Sequence, residues 1–235
     1  AVGQASNASG PVSVAVGQGA DATALGTVAV GQNSFAGGER STAIGNDATT
    51  TNSIQAVAVG GGANANDLSV AVGQQANAAG TVAVAIGQDA SATANGTVAI
   101  GQNSTSSGLR AVSLGVDTVA SGNNSFAAGD GARATDEDAV AVGNIALASG
   151  FHSTAVGGES VASGRGAQAF GWQAAATGNL SLASGHQAVA GGVQASAVGK
   201  SANASGANAS AFGFAANASG ASSVATGDTS VASGL

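Results

Sequence analysis

Residues 13–31 read SVAVGQGADATALGTVAVG, and the opening phrase SVAVG at 13–17 returns as TVAVG at 27–31. It recurs as STAIG at 41–45, SVAVG at 69–73 and TVAIG at 97–101. Stepping by seven from Gly3 gives 34 positions, of which 28 are glycine; the exceptions are Ala24, Asn52, Val59, Asn66, Ala94 and Asp136. Alternate heptads differ, so the unit is fourteen residues, numbered here from Ser13 as position one. In sixteen such windows the third position is alanine 14 times and the tenth 13 times. One extra residue before Gly60, made good by Gly73, marks an irregular coil at about 47–67, expected to be bulged or looped.

Glycine every seventh residue, with apolar residues alternating at period two, excludes a helix. Two strands of about five residues per repeat remain, each closed by a turn. Glycine is expected where the turn needs positive φ or a close backbone approach. Stacked in parallel at about 4.8 Å, about seventeen such coils form a β-solenoid near 80 Å long. Nothing in the composition marks a linker, so residues 1–235 read as a single β-roll domain.

The alternation assigns faces. Ser13, Ala15 and Gly17 share a small face, as do Ala20 and Ala22, and the two pressed together make an alanine interior. The second strand's other face, with Asp21, Asn77, Asn203, Ser205 and Ser219, is mixed and polar and meets water. The first strand's other face is apolar. Over successive coils it carries Val14 and Val16, Val28 and Val30, Ile44, Val70 and Val72, Val84 and Ile86, then Val98 and Ile100. Further along come Val112 and Leu114, Val140 and Val142, Val156, Phe170, Val198 and Phe212. An apolar stripe of this extent calls for a partner, and a second copy of the chain is the simplest one.

Composition narrows the rest. With one Trp, six Phe, no Tyr and 7% charged residues, no large aromatic core can be built. The absence of Cys removes disulfides and thiol chemistry, and a net charge of −7 argues against nucleic acid or an anionic membrane surface as partner. Beginning at AVG without Met, the chain reads as a piece of a longer protein. His152 and His186 fall at different repeat positions and do not form a catalytic pair. Asp136, Glu137 and Asp138 make the densest acidic spot but lack a calcium-loop pattern, and GGG at 60–62 lacks the lysine of a phosphate loop. No catalytic, cofactor or metal site is expected. Phe35, Trp172, His186 and Phe214 stand out as outward rings able to touch a ligand.

SVAVGQQANAAG at 69–80, TVAIGQNSTSSG at 97–108 and STAVGGESVASG at 153–164 resemble the head repeats of YadA-like trimeric autotransporter adhesins. The resemblance runs over essentially the whole chain and is weakest at 47–67. It implies a left-handed parallel β-roll that trimerises through its apolar strand face. It further implies display on the outer membrane of a Gram-negative bacterium, above a stalk and membrane anchor that this sequence does not contain. The activity it implies is attachment to host cells, extracellular-matrix proteins, cell-surface receptors or glycans, or other bacteria, without catalysis. A spacer solenoid, or an ice- or carbohydrate-binding one, is the alternative. Toward the C-terminal end Thr154, Gln168, Ser196 and Ser210 interrupt the apolar face, which predicts a wetter axis there.

Overall fold

The computed structural model describes residues 1–51 and 53–234. It is an all-β parallel solenoid of about sixteen coils with no helix among the described residues. The chain falls into two compact units, Ala1–Asp117 and Thr118–Leu235.

In the first unit, eight three-residue strands from Val14–Val16 to Val112–Leu114 stack as one parallel sheet. Eight two-residue strands from Asn7–Ala8 to Thr105–Ser106 form the other. The second unit repeats the plan, its three-residue strands running from Phe126–Ala128 to Val224–Thr226. Its two-residue strands run from Val119–Ala120 to Val231–Ala232. Partners lie fourteen residues apart, as in Val14 with Val28 and Asp21 with Phe35.

The strands are shorter than the five residues expected because the turns take the rest. The turn backbone continues the ladder all the same: Asn33 N donates to Gln18 O (2.8 Å) and Arg40 N to Leu25 O (2.8 Å), each one coil back. The extended and the turn backbone of a coil thus both find partners in the neighbouring coil.

Every buried apolar side chain among the described residues is alanine, including Ala15, Ala20, Ala22, Ala71 and Ala99. The interior is one methyl thick from each side, so the expected faces are observed. Polar residues enter it only as small hydroxyls. Ser41 Oγ donates to Gly38 O (2.6 Å), Ser69 Oγ to Gly80 O (2.6 Å) and Ser106 Oγ to Ala111 O (2.7 Å). Ser104 Oγ and Ser113 Oγ are buried with no partner. An unpaired buried hydroxyl costs about 1 kcal/mol or more. Ser104→Ala and Ser113→Ala are therefore each expected to raise stability by about 1 kcal/mol, read as a higher thermal unfolding midpoint.

Two kinds of turn position separate in the structure. Position five is glycine in every coil once the extra residue is counted, with φ from +115° at Gly227 to +138° at Gly45. At Gly101 (φ +131°) an added Cβ would lie 2.2 Å from Gly115 O of the next coil. The left-handed positions seven and fourteen are instead filled mostly by ordinary residues with φ between +50° and +58°, among them Asp89, Asn103, Val82 and Ile145. Left-handed φ costs about 1–2 kcal/mol for such residues. Their amides offset part of that cost by joining the ladder, as Ile145 N does with Asp130 O (2.8 Å) and Val82 N with Asp67 O (3.1 Å). The turns from position five to position eight are of the type II class, with positive φ at the third residue. Gly19 shows this at φ +66°, with Ala20 N bonded to Gly17 O (3.3 Å).

Of the two forms expected for the irregular coil, bulged or looped, it takes the looped one: its strands stay paired and a turn is lengthened. Thr42 pairs with Val57, fifteen residues on, and Val57 with Val70, thirteen on. The insertion lies between Thr49–Thr50 and Val57–Val59, and the compensating deletion lies between Asn64–Ala65 and Val70–Val72. Both fall in the second turn, where a change of length does not disturb the ladder. Gly60, Gly61 and Gly62 accordingly occupy an ordinary first turn, with Gly60 at the position-five φ of +135° and Gly62 at +66°. Asn52, one of the heptad exceptions, lies outside the described residues.

Candidate functional site

The first-strand side chains at positions two and four point out of the coil, as the alternation requires. In the first unit this outer face is nearly all aliphatic. Val14 (48%), Val16 (38%), Ile44 (39%), Ile86 (38%) and Ile100 (38%) keep the most exposure, while Val28, Val30, Val70, Val72, Val84, Val98, Val112 and Leu114 are half-buried against their neighbours. Val57 and Val59 belong to the same face through their pairing with Val70 and Val72, although a strict fourteen-residue count passes over them. Apart from Thr42, which pairs with Val28 and Val57, successive coils set aliphatic residues over one another, so the face is nearly continuous. None of the described strands lies across it: all belong to the two ladders.

In the second unit the same face is broken. Val140, Val142, Val156 and Val198 are half-buried, and Phe170 and Phe212 are exposed, but Thr154, Gln168, Ser184, Ser196 and Ser210 interleave with them. The opposite sheet changes in the other sense. Its outward residues in the first unit include Asn7, Asp21, Asn64, Asn77 and Ser91, linked by side-chain bonds such as Asn7 Nδ2 to Asp21 Oδ1 (2.8 Å). In the second unit Val119, Leu147, Val161 and Val189 take that column, so the face read as polar is partly apolar there. Phe35 stands on the polar sheet of the first unit, half-buried between Asp21 and Thr49.

Turn residues carry the remaining chemistry. Trp172, His186, Lys200 and Phe214 occupy position six on four successive coils of the second unit. Trp172 and His186 are in ring contact (centroids 4.7 Å apart, tilted 33°), and Lys200 Nζ lies 5.8 Å from the centre of the Phe214 ring. Beside them Gln187 Nε2 donates to Gln173 Oε1 (2.9 Å), and Gln173 Nε2 donates to Glu159 Oε2 (2.7 Å). His152 sits in the other turn, separate from His186, with Nε2 3.1 Å from Asp138 Oδ2. Its ring stacks on Phe151 at 3.8 Å, and Arg165 lies over Phe151 at 5.2 Å. Asp136 Oδ1 accepts from the Glu137 amide (2.8 Å), so of the acidic run Asp136 is engaged within its own turn and Asp138 with the next coil. The second-turn slip opens a shallow cavity of about 300 Å³ lined by Thr51, Ser53, Asn66, Asp67 and Thr81. Its polar groups bond to the chain itself, Asp67 Oδ1 accepting from Ile54 N (3.0 Å) and Asn66 Nδ2 donating to Ala79 O (2.8 Å).

Sequence patterning missed a second set of exposed aliphatic residues. Val12 (87%), Leu25 (40%), Ile54 (52%), Leu68 (49%), Val82 (57%) and Leu109 (49%) line the second-turn edge of the first unit, next to the aliphatic face. They are divided between positions thirteen and fourteen, so no single column of the repeat displays them all. Tabulating both turn positions together is the signal that would have found them.

The YadA head domain repeat, a family unit of two copies, matches the chain at 1–20, 22–48, 66–90, 80–104, 106–132, 120–144, 148–174, 176–202, 190–216 and 204–230. The longest stretch without a match, 49–65, is the coil with the shifted second turn. A search of curated proteins returned no match. Repeats of one family cover the chain almost end to end, and their fourteen-residue step is the step of the solenoid; the chain belongs to the YadA head family.

Proposed function

We propose that this chain is the non-catalytic, receptor-binding head of a homotrimeric adhesin on the surface of a Gram-negative bacterium. Membership of the family gives the general assignment, an adhesin-type head of the trimeric autotransporter class. The observation that carries the finer reading is the aliphatic face of the first unit. From Val14 to Leu114 it presents side chains that the coil itself leaves partly exposed. Such a surface is satisfied by like surfaces from other copies, and an assembly round a common axis covers every face equally. The polar sheet and the turns then remain outward. Repetition along the coils and across three chains lets weak contacts add by avidity to host matrix proteins, cell-surface receptors or glycans.

The test is binding of the purified head to immobilised matrix proteins and to cultured cells, compared with a head of scrambled outward turn residues. Saturable binding that the scrambled head lacks is expected. Equal, background-level retention of both proteins on every surface overturns the adhesin reading.

A further inference from the structure

We propose that the cavity opened by the shifted second turn of the first unit receives a primary alkylammonium group, the side chain of a lysine on a protein partner. This deepens the adhesin reading and rests on it, because assembly through the aliphatic face leaves the turns outward.

Three successive second turns meet at this place. Leu68 N donates to Ile54 O (2.9 Å) and Val82 N to Asp67 O (3.1 Å), so the turns carrying Ile54, Leu68 and Val82 lie one on the next. The extra residue between Thr49–Thr50 and Val57–Val59, and the missing one between Asn64–Ala65 and Val70–Val72, leave these turns unequal in length. The result is about 300 Å³ of open space lined by Thr51, Ser53, Asn66, Asp67 and Thr81. Ligand pockets begin at about that volume, so there is room for the end of one side chain and not for an oligosaccharide. The family repeat finds no match at 49–65, so the cavity belongs to this chain and not to the repeat.

The lining offers acceptors and has spent most of its donors. Ser53 Oγ donates to Thr51 O (2.8 Å) and Asn66 Nδ2 to Ala79 O (2.8 Å). The amides of Ile54 and Thr81 donate to Asp67 Oδ1 (3.0 Å) and Asn95 Oδ1 (3.1 Å). Thr49 and Thr51 share a hydrogen between their hydroxyls at 3.0 Å. What remains for an occupant is the Asp67 carboxylate and the lone pairs of amide and hydroxyl oxygens. The chain has no lysine or arginine between 41 and 109, and among the described residues no cation pairs with Asp67. On the turn one coil back, Glu39 and Arg40 cancel in charge. The complementary occupant brings positive charge and several donors, and an ammonium group has that make-up, with three donors and no acceptor. Ile54 (52%), Leu68 (49%) and Val82 (57%), each next in sequence to a lining residue, supply exposed aliphatic surface for the methylene stem. A divalent ion, which gathers oxygen ligands alone, would leave that surface unused.

The experiment follows the labelled methyl groups of Ile54, Leu68 and Val82 by NMR in the intact head while Nα-acetyl-lysine methylamide is added at millimolar concentrations. Saturable shifts at these methyls are expected. The same probe acetylated at Nε keeps the stem and loses the charge, and it should bind about tenfold more weakly or worse. Asp67→Asn, which keeps an oxygen for Ile54 N, should abolish the shifts while leaving the thermal unfolding midpoint unchanged. Putrescine and calcium chloride are the competing arms, one a free amine and the other a bare cation. No shifts, equal shifts from the Nε-acetylated probe, shifts that survive in Asp67→Asn, or tighter binding of putrescine or calcium than of the lysine probe overturns the proposal. Cell and matrix adhesion of the same proteins separates the two readings. Adhesion without methyl shifts removes the lysine site and leaves the adhesin; methyl shifts without adhesion leave the site and remove the adhesin reading.

Discussion

Gly101→Ala is expected to destabilise its region by on the order of 4 kcal/mol or more, a loss outside the ordinary range for one methyl group. Two costs coincide at this residue. Its φ of +131° is a region that L-residues rarely adopt, and the new Cβ would press on Gly115 O at 2.2 Å. The obstacle is backbone held in a ladder, so it cannot swing aside as a side chain would. Gly96→Asn is the control. Gly96 has φ +68°, and the nearest atom to an added Cβ is Arg110 Cγ at 3.6 Å. Asparagine already occupies the equivalent left-handed site at Asn124 and Asn208. A change within about 1 kcal/mol is expected for Gly96→Asn, measured for both variants by denaturant unfolding. Similar losses for the two would mean that close approach between coils is not what position five protects.

The second large effect concerns assembly. Ile86→Asn combined with Ile100→Asn is expected to convert the proposed trimer to monomers at micromolar concentration while each coil stays folded. Each isoleucine is 38% exposed in the single chain, so only that fraction remains to be buried between copies. Full burial of such a side chain is worth about 1.5–3 kcal/mol, which leaves about 1 kcal/mol per residue. Six residues per trimer then contribute about 5 kcal/mol, or three to four orders of magnitude in the association constant. Sedimentation velocity reads the outcome, and circular dichroism checks that the β content is retained. A doubly substituted head that remains trimeric would place the interface elsewhere, with the second-turn edge of Val12, Leu25 and Val82 as the next surface to test.

The coil was legible in the sequence because its constraints are strict and periodic. Ala15, Ala20 and Ala22 recur since only small side chains, none larger than threonine, are buried between the two sheets, and Gly17 recurs since its backbone meets Gly31. Less was legible in the turns. Val82 and Ile145 hold left-handed φ against their own preference, and only the ladder bonds of their amides make that tolerable. A sequence shows the preference, not the bond that overrides it. The extra residue before Gly60 suggested a bulged or looped coil; only the stacked coils show that it lengthens a turn and leaves the strand pairing intact. Position six drew attention to Trp172, His186 and Phe214 one by one. That the Trp172 indole lies against Gly158, fourteen residues earlier, has no sign in either residue until the coils are stacked.

The shifted coil at 51–69 has a consequence for how such a chain can change over generations. Val57 finds Thr42 behind it and Val70 ahead of it although neither is fourteen residues away. Register is copied from the neighbouring coil and not counted along the chain. A gene encoding this pattern can therefore gain or lose codons in a second turn without scrambling everything downstream. Small insertions that would ruin most sheets become raw material for new surface loops.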